Sequence, residues 1–368
     1  MSSCWGNLMK LTIFGESHGP AIGGVIDGLP SGISIDFDQV NFHMKRRAPG
    51  LHRWSTQRHE TDTWEILSGM FQGRTTGTPL AFLIRNHDQK SKAYAELNII
   101  PRPSHADYTG NVRYHGFQDY RGGGHFSGRL TAPLVFAGSI ARQLLENQGI
   151  HIGAHIRSIG KINDSPFDPI HPSSELMKEV AKKQFPVIND SSGEKMKALI
   201  EKARMDCDSV GGVIEAAASG VPAGIGSPIF DALESVLSSI LFAIPAVKGV
   251  SFGDGFGISN LRGSEANDPY EKMNKDGKLV TSSNHNGGIL GGITSGMPLL
   301  LNVAVKPTAS IAKPQQSINM DNGEQTELNI KGRHDPCIVP RAVPVVEAAT
   351  AFALLDTMIQ NRGLEHWL

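Results

Sequence analysis

Short runs in which apolar and polar residues alternate recur along this 368-residue chain, bounded by turns that contain glycine or proline. Alternation of this kind is typical of strands with one buried face. Strands are therefore predicted at 8–14, 21–26, 63–71, 80–84, 150–159, 211–218, 247–252 and 298–305.

Fewer segments show the helical period of 3.6 residues. Asp36 is placed to cap a helix that carries Val40 and Met44 on one face and stops at the sequence APG, 48–50. Long helices are predicted at about 134–145 and 345–359. A further helix is predicted at 230–242, and two amphipathic helices in the polar stretch 163–209.

Each half of the chain combines a glycine-rich loop, several strands and one long helix, so a pseudo-duplicated core is expected. Strands outnumber long helices and many are joined by short turns. The predicted fold class is therefore α+β with antiparallel sheets rather than a doubly wound fold. A single domain is expected over 1–368, with 163–209 as a peripheral insertion.

The charge balance excludes a global field that would draw the chain to nucleic acid or to a membrane, because 35 basic and 36 acidic side chains give a net charge of −1. Three cysteines form neither a disulfide framework nor a metal pattern. None of the 14 histidines lies in an HExxH pattern, so no metal site is predicted. We expect neither a secretory leader nor a membrane span, since no charged-then-apolar leader opens the sequence and no apolar run approaches 18 residues. The predicted location is therefore the cytoplasm.

The most informative segment is YRGGGHFSGR at 120–129, which leads straight into the helical pattern. Three glycines allow close approach of the backbone to a ligand, and a helix N-terminus behind them would bind an anion. Arg121 and Arg129 flank the glycines with guanidinium groups suited to phosphate and carboxylate. An anionic ligand is expected here.

Other clusters carry chemistry of the same kind. His18 lies in a strand-to-turn segment, and His105 is followed by Asp107, a carboxylate able to orient or charge the imidazole. For His18 a structural turn histidine is the alternative, and for the basic run at 45–47 a solvated helix end. The P-loop and Rossmann patterns are missing from the sequence. Several separate cationic clusters favour a multiply anionic substrate and an anionic organic cofactor.

Taken together, nine motifs resemble the chorismate synthase family and follow that family's order along the chain. They are FGESHG at 14–19, RRAPG at 46–50, TQR at 56–58, HADYT at 105–109, DYRGGG at 119–124, VKGVSFGDGF at 247–256, GGILGGITSG at 287–296, KPT at 306–308 and GRHDPC at 332–337.

The resemblance implies a β-α-β sandwich with internal pseudo-symmetry, assembled as a homotetramer. It implies a phosphate lyase of the shikimate pathway that converts 5-enolpyruvylshikimate 3-phosphate to chorismate by anti-1,4-elimination. The family requires reduced FMN without net redox change, and some members use NADPH to reduce it.

The resemblance also assigns roles by position. His18 would protonate the leaving phosphate, His105 would lie near the flavin, and Asp335 would assist proton transfer. Substrate binding falls on Arg46, Arg47, Arg129 and Arg341, and NADP binding on Arg47 and Arg53. FMN binding falls on His125, Phe126, Ser127, Pro245, Ala246, Gly291, Lys306, Pro307, Thr308, Ala309, Ser310 and Arg333.

Four positions depart from the usual family pattern. After the glycine triad the family commonly has Arg-Ser-Ser, then an Arg followed by Glu-Thr. This chain has His125, Phe126 and Leu130 as departures, keeps Ser127, Arg129 and Thr131, and has Pro245 where Asn is common. Two other functions stay open on the residues alone. One is a kinase or sugar-phosphate transferase that uses the same anion sites, and the other is a non-catalytic flavin- or anion-binding protein.

Overall fold

The structure is a computed structural model that describes residues 3–50, 60–87, 97–273, 277–330, 335–363 and 367. The strands are β1 (Cys4–Trp5), β2 (Lys10–Gly15), β3 (Ala21–Asp27), β4 (Trp64–Ile66), β5 (Met70–Phe71), β6 (Arg74–Thr75), β7 (Leu80–Arg85), β8 (His151–Ile159), β9 (Ile162–Asn163), β10 (Gly212–Ser219), β11 (Val247–Phe252), β12 (Tyr270–Met273), β13 (Leu279–Thr281), β14 (Ile289–Leu290), β15 (Ile293–Thr294), β16 (Leu299–Val305), β17 (Gln315–Ile318) and β18 (Gln325–Leu328).

The helices connect and separate these strands. They are α1 (Phe37–Arg47), α2 (Asp107–Arg113), α3 (Thr131–Asn147), α4 (Ser174–Lys182), α5 (Asp190–Met205), α6 (Leu233–Phe242), α7 (Gly263–Ala266) and α8 (Val339–Arg362). Short 3₁₀ segments occupy Arg121–Phe126, Gly128–Leu130, Ile229–Asp231 and Gly255–Asn260, and the first is kinked at its three glycines.

Two five-stranded sheets form the outer layers, and every pairing within them is antiparallel. The first has the order β1-β2-β3-β7-β4 and the second the order β11-β16-β10-β8-β9. In the central strand of the second sheet, Ala217 pairs with Gly153 on one side and Leu300 on the other. The remaining strands form four two-stranded ribbons among the described residues.

The two long helices, α3 and α8, pack against each other between the sheets. Gly138 of α3 allows this contact, because a Cβ there would lie 2.4 Å from the Cβ of Ala348 in α8. Within the described residues, α8 is the one helix long and apolar enough to span a membrane, and its apolar window is wholly buried in the core. The α+β prediction, with antiparallel sheets in a β-α-β sandwich, is confirmed.

The observed element boundaries confirm one predicted feature and correct two others. Asp36 does cap α1, accepting from the backbone N–H groups of Asp38 and Gln39. The single strand predicted at 63–71 was wrong, because the chain turns at Gly69 and places β4 and β5 in different sheets. The helix predicted at 345–359 begins earlier, at Val339, and carries Pro344 inside it.

The polar stretch 163–209 packs on a face of the second sheet, where Phe167 and Met177 cluster with Ala217 of β10 and Leu300 of β16. Met177 of α4 lies against Gly153, where a Cβ would come within 2.4 Å of the Met177 Cγ. Asp164 accepts from the backbone N–H groups of Ile188 and Asn189, which holds the start of α5 to β9. That this stretch is a peripheral insertion into a single domain stays a prediction.

Candidate active site

A cavity of about 1030 Å³ lies where the glycine triad, the start of α8 and the loop 306–310 meet. Small-molecule sites commonly occupy about 300–1,000 Å³, so this cavity has room for more than one ligand. Its walls include most of the predicted site residues: His18, Arg47, His105, His125, Phe126, Ser127, Arg129, Pro245, Ala246, Lys306, Pro307, Thr308, Ala309, Ser310, Asp335 and Arg341.

The glycine triad separates the two histidines. A Cβ on Gly122 would lie 2.1 Å from Cε1 of His18, and one on Gly123 would lie 3.3 Å from Cε1 of His105. Gly122, Gly123 and Gly124 have φ values of 59°, 84° and 52°, in the left-handed region that favours glycine. The triad therefore places both imidazoles at the cavity wall through close backbone contact.

The helix expected directly behind the triad begins a few residues farther along the chain, and an anion site at the triad stays a prediction. One 3₁₀ segment contains the triad itself, a second covers Gly128–Leu130, and α3 begins only at Thr131. Ser127 caps the second turn by accepting from the backbone N–H of Arg129 at 3.3 Å. Arg121 pairs with Asp119 at 2.8 Å and is outside the cavity wall.

The turn that carries His18 is held by side chains from elsewhere in the fold. Asn86 donates to the backbone carbonyls of Glu16 at 3.0 Å and Gly19 at 2.8 Å. The backbone N–H of Ser17 donates to the carbonyl of Gly124 at 3.1 Å. His18 is only 5% exposed, so its imidazole occupies a fixed place at the base of the cavity.

His105 contacts a buried ion pair. Its Nδ1 lies 2.8 Å from Oδ1 of Asp107, and Arg102 donates to both oxygens of the same carboxylate, at 2.7 and 2.8 Å. Burial alone would raise the pKa of Asp107, but hydrogen bonds from Arg102 and His105 hold it well below its usual range. Arg102 also lines the cavity, although the sequence analysis did not single it out.

Two arginines of the cavity share one buried carboxylate. Asp62 accepts from Nη1 of Arg47 at 2.5 Å and forms a second, short contact with Nη1 of Arg129. Arg129 also donates through Nε to Asn86 at 2.9 Å. Burial lowers the pKa of Arg47 to about 10, which still leaves it charged at neutral pH.

Asp62 itself is ionised in this arrangement. Burial acts to raise its pKa, but the nearby guanidinium groups of Arg47 and Arg129 lower it overall. Glu60 is also buried and lies 3.9 Å from Nη2 of Arg129, so two carboxylates surround the two guanidinium groups. The sequence gives no local signal for this pairing, since Asp62 and Arg129 are far apart along the chain.

The opposite wall is formed by the loop 306–310 and the turn at 245–246. Lys306 donates through Nζ to the carbonyl of Ser104 at 2.5 Å, and its backbone N–H donates to Ala246 at 2.9 Å. Burial, and after it the proximity of Lys248, lowers the pKa of Lys306. Ala246 has a φ of 74°, a strained backbone conformation of the kind found at ligand sites.

Comparison with known proteins decides the identity of this site. The family model described as chorismate synthase matches residues 9–359. The chain belongs to the chorismate synthase family. It is an enzyme of the shikimate pathway, a lyase that eliminates phosphate.

Individual members of the chorismate synthase family resemble this chain over nearly its whole length. The chorismate synthase of Thermococcus kodakarensis is 46% identical over 361 residues, covering 98% of each chain. That of Pyrococcus abyssi is 46% identical over 363 residues, again covering 98% of each. A crystal structure of chorismate synthase matches with a TM-score of 0.76 at 27% identity, covering 98% of this chain and 94% of that one.

Some residues assigned by the family resemblance lie away from the cavity. Arg46 binds Glu347 of α8 through both terminal nitrogens, at 2.5 and 3.0 Å, and Gly291 lies in the turn between β14 and β15. Neither lines the cavity. Arg53 and Arg333 lie outside the described residues.

Two departures from the usual chorismate synthase pattern have structural partners of their own. Nδ1 of His125 lies 2.8 Å from the carbonyl of Gly15, and its Nε2 lies 2.8 Å from Oγ of Ser3. Phe126 packs against α2, where a Cβ on Gly110 would come within 2.8 Å of its ring. Both side chains thus hold the triad against its surroundings and also line the cavity.

Within the described part of the chain, no group of three or more His, Cys, Asp or Glu side chains is arranged to hold a metal ion. The carboxylates near the cavity are instead bound to arginines, as with Asp62 and Asp335, whose Oδ2 accepts from Nη1 of Arg341 at 2.9 Å.

Proposed function

We propose that this chain catalyses the anti-1,4-elimination of phosphate from 5-enolpyruvylshikimate 3-phosphate to give chorismate, with reduced FMN required and no net redox change. The observation that carries the proposal is the convergence of His18, His105 and three arginines on one cavity in a member of this family. These residues come from separate parts of the chain and lie at one cavity only in the folded protein.

The charge of the cavity suits the substrate, which carries one phosphate and two carboxylates. The positively charged side chains that line it are Arg47, Arg102, Arg129, Lys248, Lys306 and Arg341. Planar guanidinium groups bind phosphate and carboxylate through two parallel hydrogen bonds. We assign Arg47, Arg129 and Arg341 to the substrate, where Asp62 keeps the first two from repelling each other.

The elimination breaks the carbon–oxygen bond to phosphate and a ring carbon–hydrogen bond, and it forms a new carbon–carbon double bond. His18, protonated, donates its proton to the departing phosphate, which lowers the charge that develops on the leaving oxygen. Asp335, held by Arg341 at 2.9 Å, assists removal of the ring proton. The arginines stabilise negative charge through the same step.

The cavity also fits an organic cofactor with polar edges. Oγ1 of Thr308 is buried in the cavity wall without a hydrogen-bond partner among the described residues, which a bound polar group would supply. Reduced FMN would be held by Phe126, Ser127, Ala246 and the loop 306–310, and when bound it would supply transient electron density to the substrate. His105 lines the same cavity, with its Nδ1 2.8 Å from Oδ1 of Asp107.

Further parts of the proposal follow the family. NADPH would reduce the flavin with Arg47 and Arg53 as its binding residues. Contacts of Arg46 to the substrate and of Gly291 and Arg333 to the cofactor stay predictions from the family resemblance. The chain would act in the cytoplasm as a homotetramer. NADPH oxidation in the presence of free FMN tests the reductase activity, and sedimentation tests the tetramer.

The deciding experiment measures phosphate release from 5-enolpyruvylshikimate 3-phosphate with reduced FMN under anaerobic conditions. The proposal expects stoichiometric phosphate and chorismate, and no product with oxidised FMN. Flavin binding without phosphate release would favour a non-catalytic flavin-binding protein. Transfer of phosphate to an added acceptor would favour a kinase or phosphotransferase.

A further inference from the structure

We propose that Asp107 and Arg102 form a positioning pair that fixes the ring tautomer of His105, with the proton on Nδ1 and the Nε2 lone pair directed to the cavity. Only the effect of this pair on turnover rests on the proposed function. The tautomer is a property of the ligand-free protein.

Two neighbours compete for Nδ1 of His105. Oδ1 of Asp107 lies at 2.8 Å and Nη2 of Arg102 at 3.1 Å. An ionised carboxylate only accepts hydrogen bonds and a guanidinium only donates, so the two neighbours require opposite states of the ring nitrogen. The carboxylate is closer, and its hydrogen bond to the ring N–H is charge-assisted, which makes it stronger than a neutral one. The proton therefore lies on Nδ1.

Arg102 keeps the carboxylate ionised and oriented. Its backbone N–H and Nε donate to Oδ2 of Asp107 at 3.0 and 2.7 Å, and its Nη2 donates to Oδ1 at 2.8 Å. The side chains of both residues are almost fully buried, at 5% and 4% exposure. A buried carboxylate with this many donors has one orientation, and that orientation presents Oδ1 to the imidazole.

The turn that carries these residues is braced from outside. Ser104 has a φ of 59°, and its carbonyl accepts from Nζ of Lys306 at 2.5 Å. Arg102 donates through Nη1 to Oγ of Ser310 at 3.0 Å. A strained conformation persists when its surroundings hold it in place, and such strain is typical of preorganised sites. His105 and the loop 306–310 are therefore fixed relative to each other.

The remaining ring nitrogen faces the cavity. Nε2 of His105 lies beside Gly123, where a Cβ would be 3.4 Å away, and the residue lines the cavity wall. With the proton on Nδ1, Nε2 is available to accept a proton or a hydrogen bond from a bound ligand. Asp107 does not touch the ligand and acts only through His105.

Asp107→Asn tests the pair. Because two Arg102 donors converge on Oδ2, the asparagine oxygen should occupy that position and its amide nitrogen should face Nδ1. An amide N–H donates, so Nδ1 would then have to accept and the ring proton would move to Nε2. The variant changes the tautomer while keeping the size of the side chain.

The measurement is a long-range ¹H–¹⁵N spectrum of ligand-free, histidine-labelled protein at alkaline pH, where imidazoles are neutral. The His105 signals are assigned by their loss in His105→Gln. Wild type should show the Nδ1–H form and Asp107→Asn the Nε2–H form. An Nε2–H form in wild type, or an unchanged form in the variant, would overturn the proposal, and the wild-type result stands even where the variant does not fold.

A second histidine–aspartate pair supplies the matched control. Nδ1 of His285 lies 2.7 Å from Oδ2 of Asp254 on the partly exposed surface. Asp254→Asn should alter the His285 signals and leave those of His105 unchanged.

In the elimination assay, Asp107→Asn should lower kcat by about 10²-fold with little change in KM. Absence of turnover in wild type with the expected tautomers would count against the proposed function alone.

Discussion

Gly122 lies directly against the imidazole of His18, so closely that a Cβ on the glycine would come within 2.1 Å of Cε1 and 2.2 Å of Nδ1. No real Cβ tolerates such a distance, and His18 is almost fully buried and has little space to move. The position of the His18 imidazole therefore requires a glycine at 122, whether or not a ligand also approaches the backbone there.

Gly122→Ala should displace His18 and lower kcat by about 10²-fold or more, since a proton donor must lie within hydrogen-bond reach of its target. The matched control is Gly32→Ala, which has a similar positive φ of 80° and nothing within 4 Å of the added Cβ. That variant should lose only about 1–2 kcal/mol of stability from backbone strain. Equal activity in both variants would contradict the contact.

His18→Ala should lower turnover by about 10²–10⁴-fold while leaving the dissociation constant for FMN nearly unchanged. The reason is that His18 is assigned to the leaving phosphate, and the predicted flavin contacts lie elsewhere in the cavity. Turnover and flavin fluorescence titration check the two effects separately. An unchanged rate would remove the proton-donor role from His18.

Much of the fold could be predicted from the sequence because its elements are local. Alternation of apolar residues set the strands, and Asp36 capped α1 as its position next to the apolar pattern indicated. The strand predicted at 63–71 failed because the turn at Gly69 depends on the backbone conformation, with a φ of 87°. The apolar pattern alone continues through that position.

The arrangement of the candidate site was harder to predict from the sequence, because its contacts join distant parts of the chain. His18 and His105 were found as motifs, but their separation by Gly122 and Gly123 depends on tertiary packing. Asp62 was missed, since its partners Arg47 and Arg129 are brought to it only by folding. A charge pattern in the sequence indicates which arginines are candidates to bind an anion. It does not indicate which carboxylate pairs with those arginines in the folded protein.

Asp62→Ala should destabilise the protein by about 3–5 kcal/mol, because it leaves Arg47 and Arg129 close together without their shared carboxylate. Urea unfolding measures this loss. Added phosphate should raise the melting temperature of the variant more than that of wild type, since an anion can replace the lost charge. Asp208→Asn, which breaks an exposed pair with Lys313, should cost less than about 1 kcal/mol. Equal losses would contradict the shared role of Asp62.

Arg46→Ala should lower stability by about 3 kcal/mol, because Glu347 would lose its bidentate partner in the core. Glu347 also contacts Arg142 at 3.2 Å, so the effect is on the buried cluster under α1 rather than on the cavity. Arg341→Ala, which removes a cavity side chain, should raise KM with a smaller loss of stability. A large rise in KM for Arg46→Ala at unchanged stability would support its predicted role at the substrate.

His155 predicts a pH dependence of stability in the second sheet. Its two ring nitrogens lie 3.2 Å from Oδ2 of Asp164 and 2.6 Å from Oε2 of Glu215, and the ring of Phe167 packs edge-on against it. Burial acts to lower its pKa, but hydrogen bonds to the two carboxylates raise it above the ordinary value.

A raised folded-state pKa stabilises the protein fully below the unfolded value, about 6.5, and the stabilisation is lost as pH rises through the folded value. The difference in unfolding free energy between wild type and His155→Gln should therefore be largest in mild acid and shrink as pH increases above about 6.5. Urea unfolding across this range measures it, with exposed His171→Gln as the control. A difference that stays constant or grows with pH would show that His155 is not held as the cation.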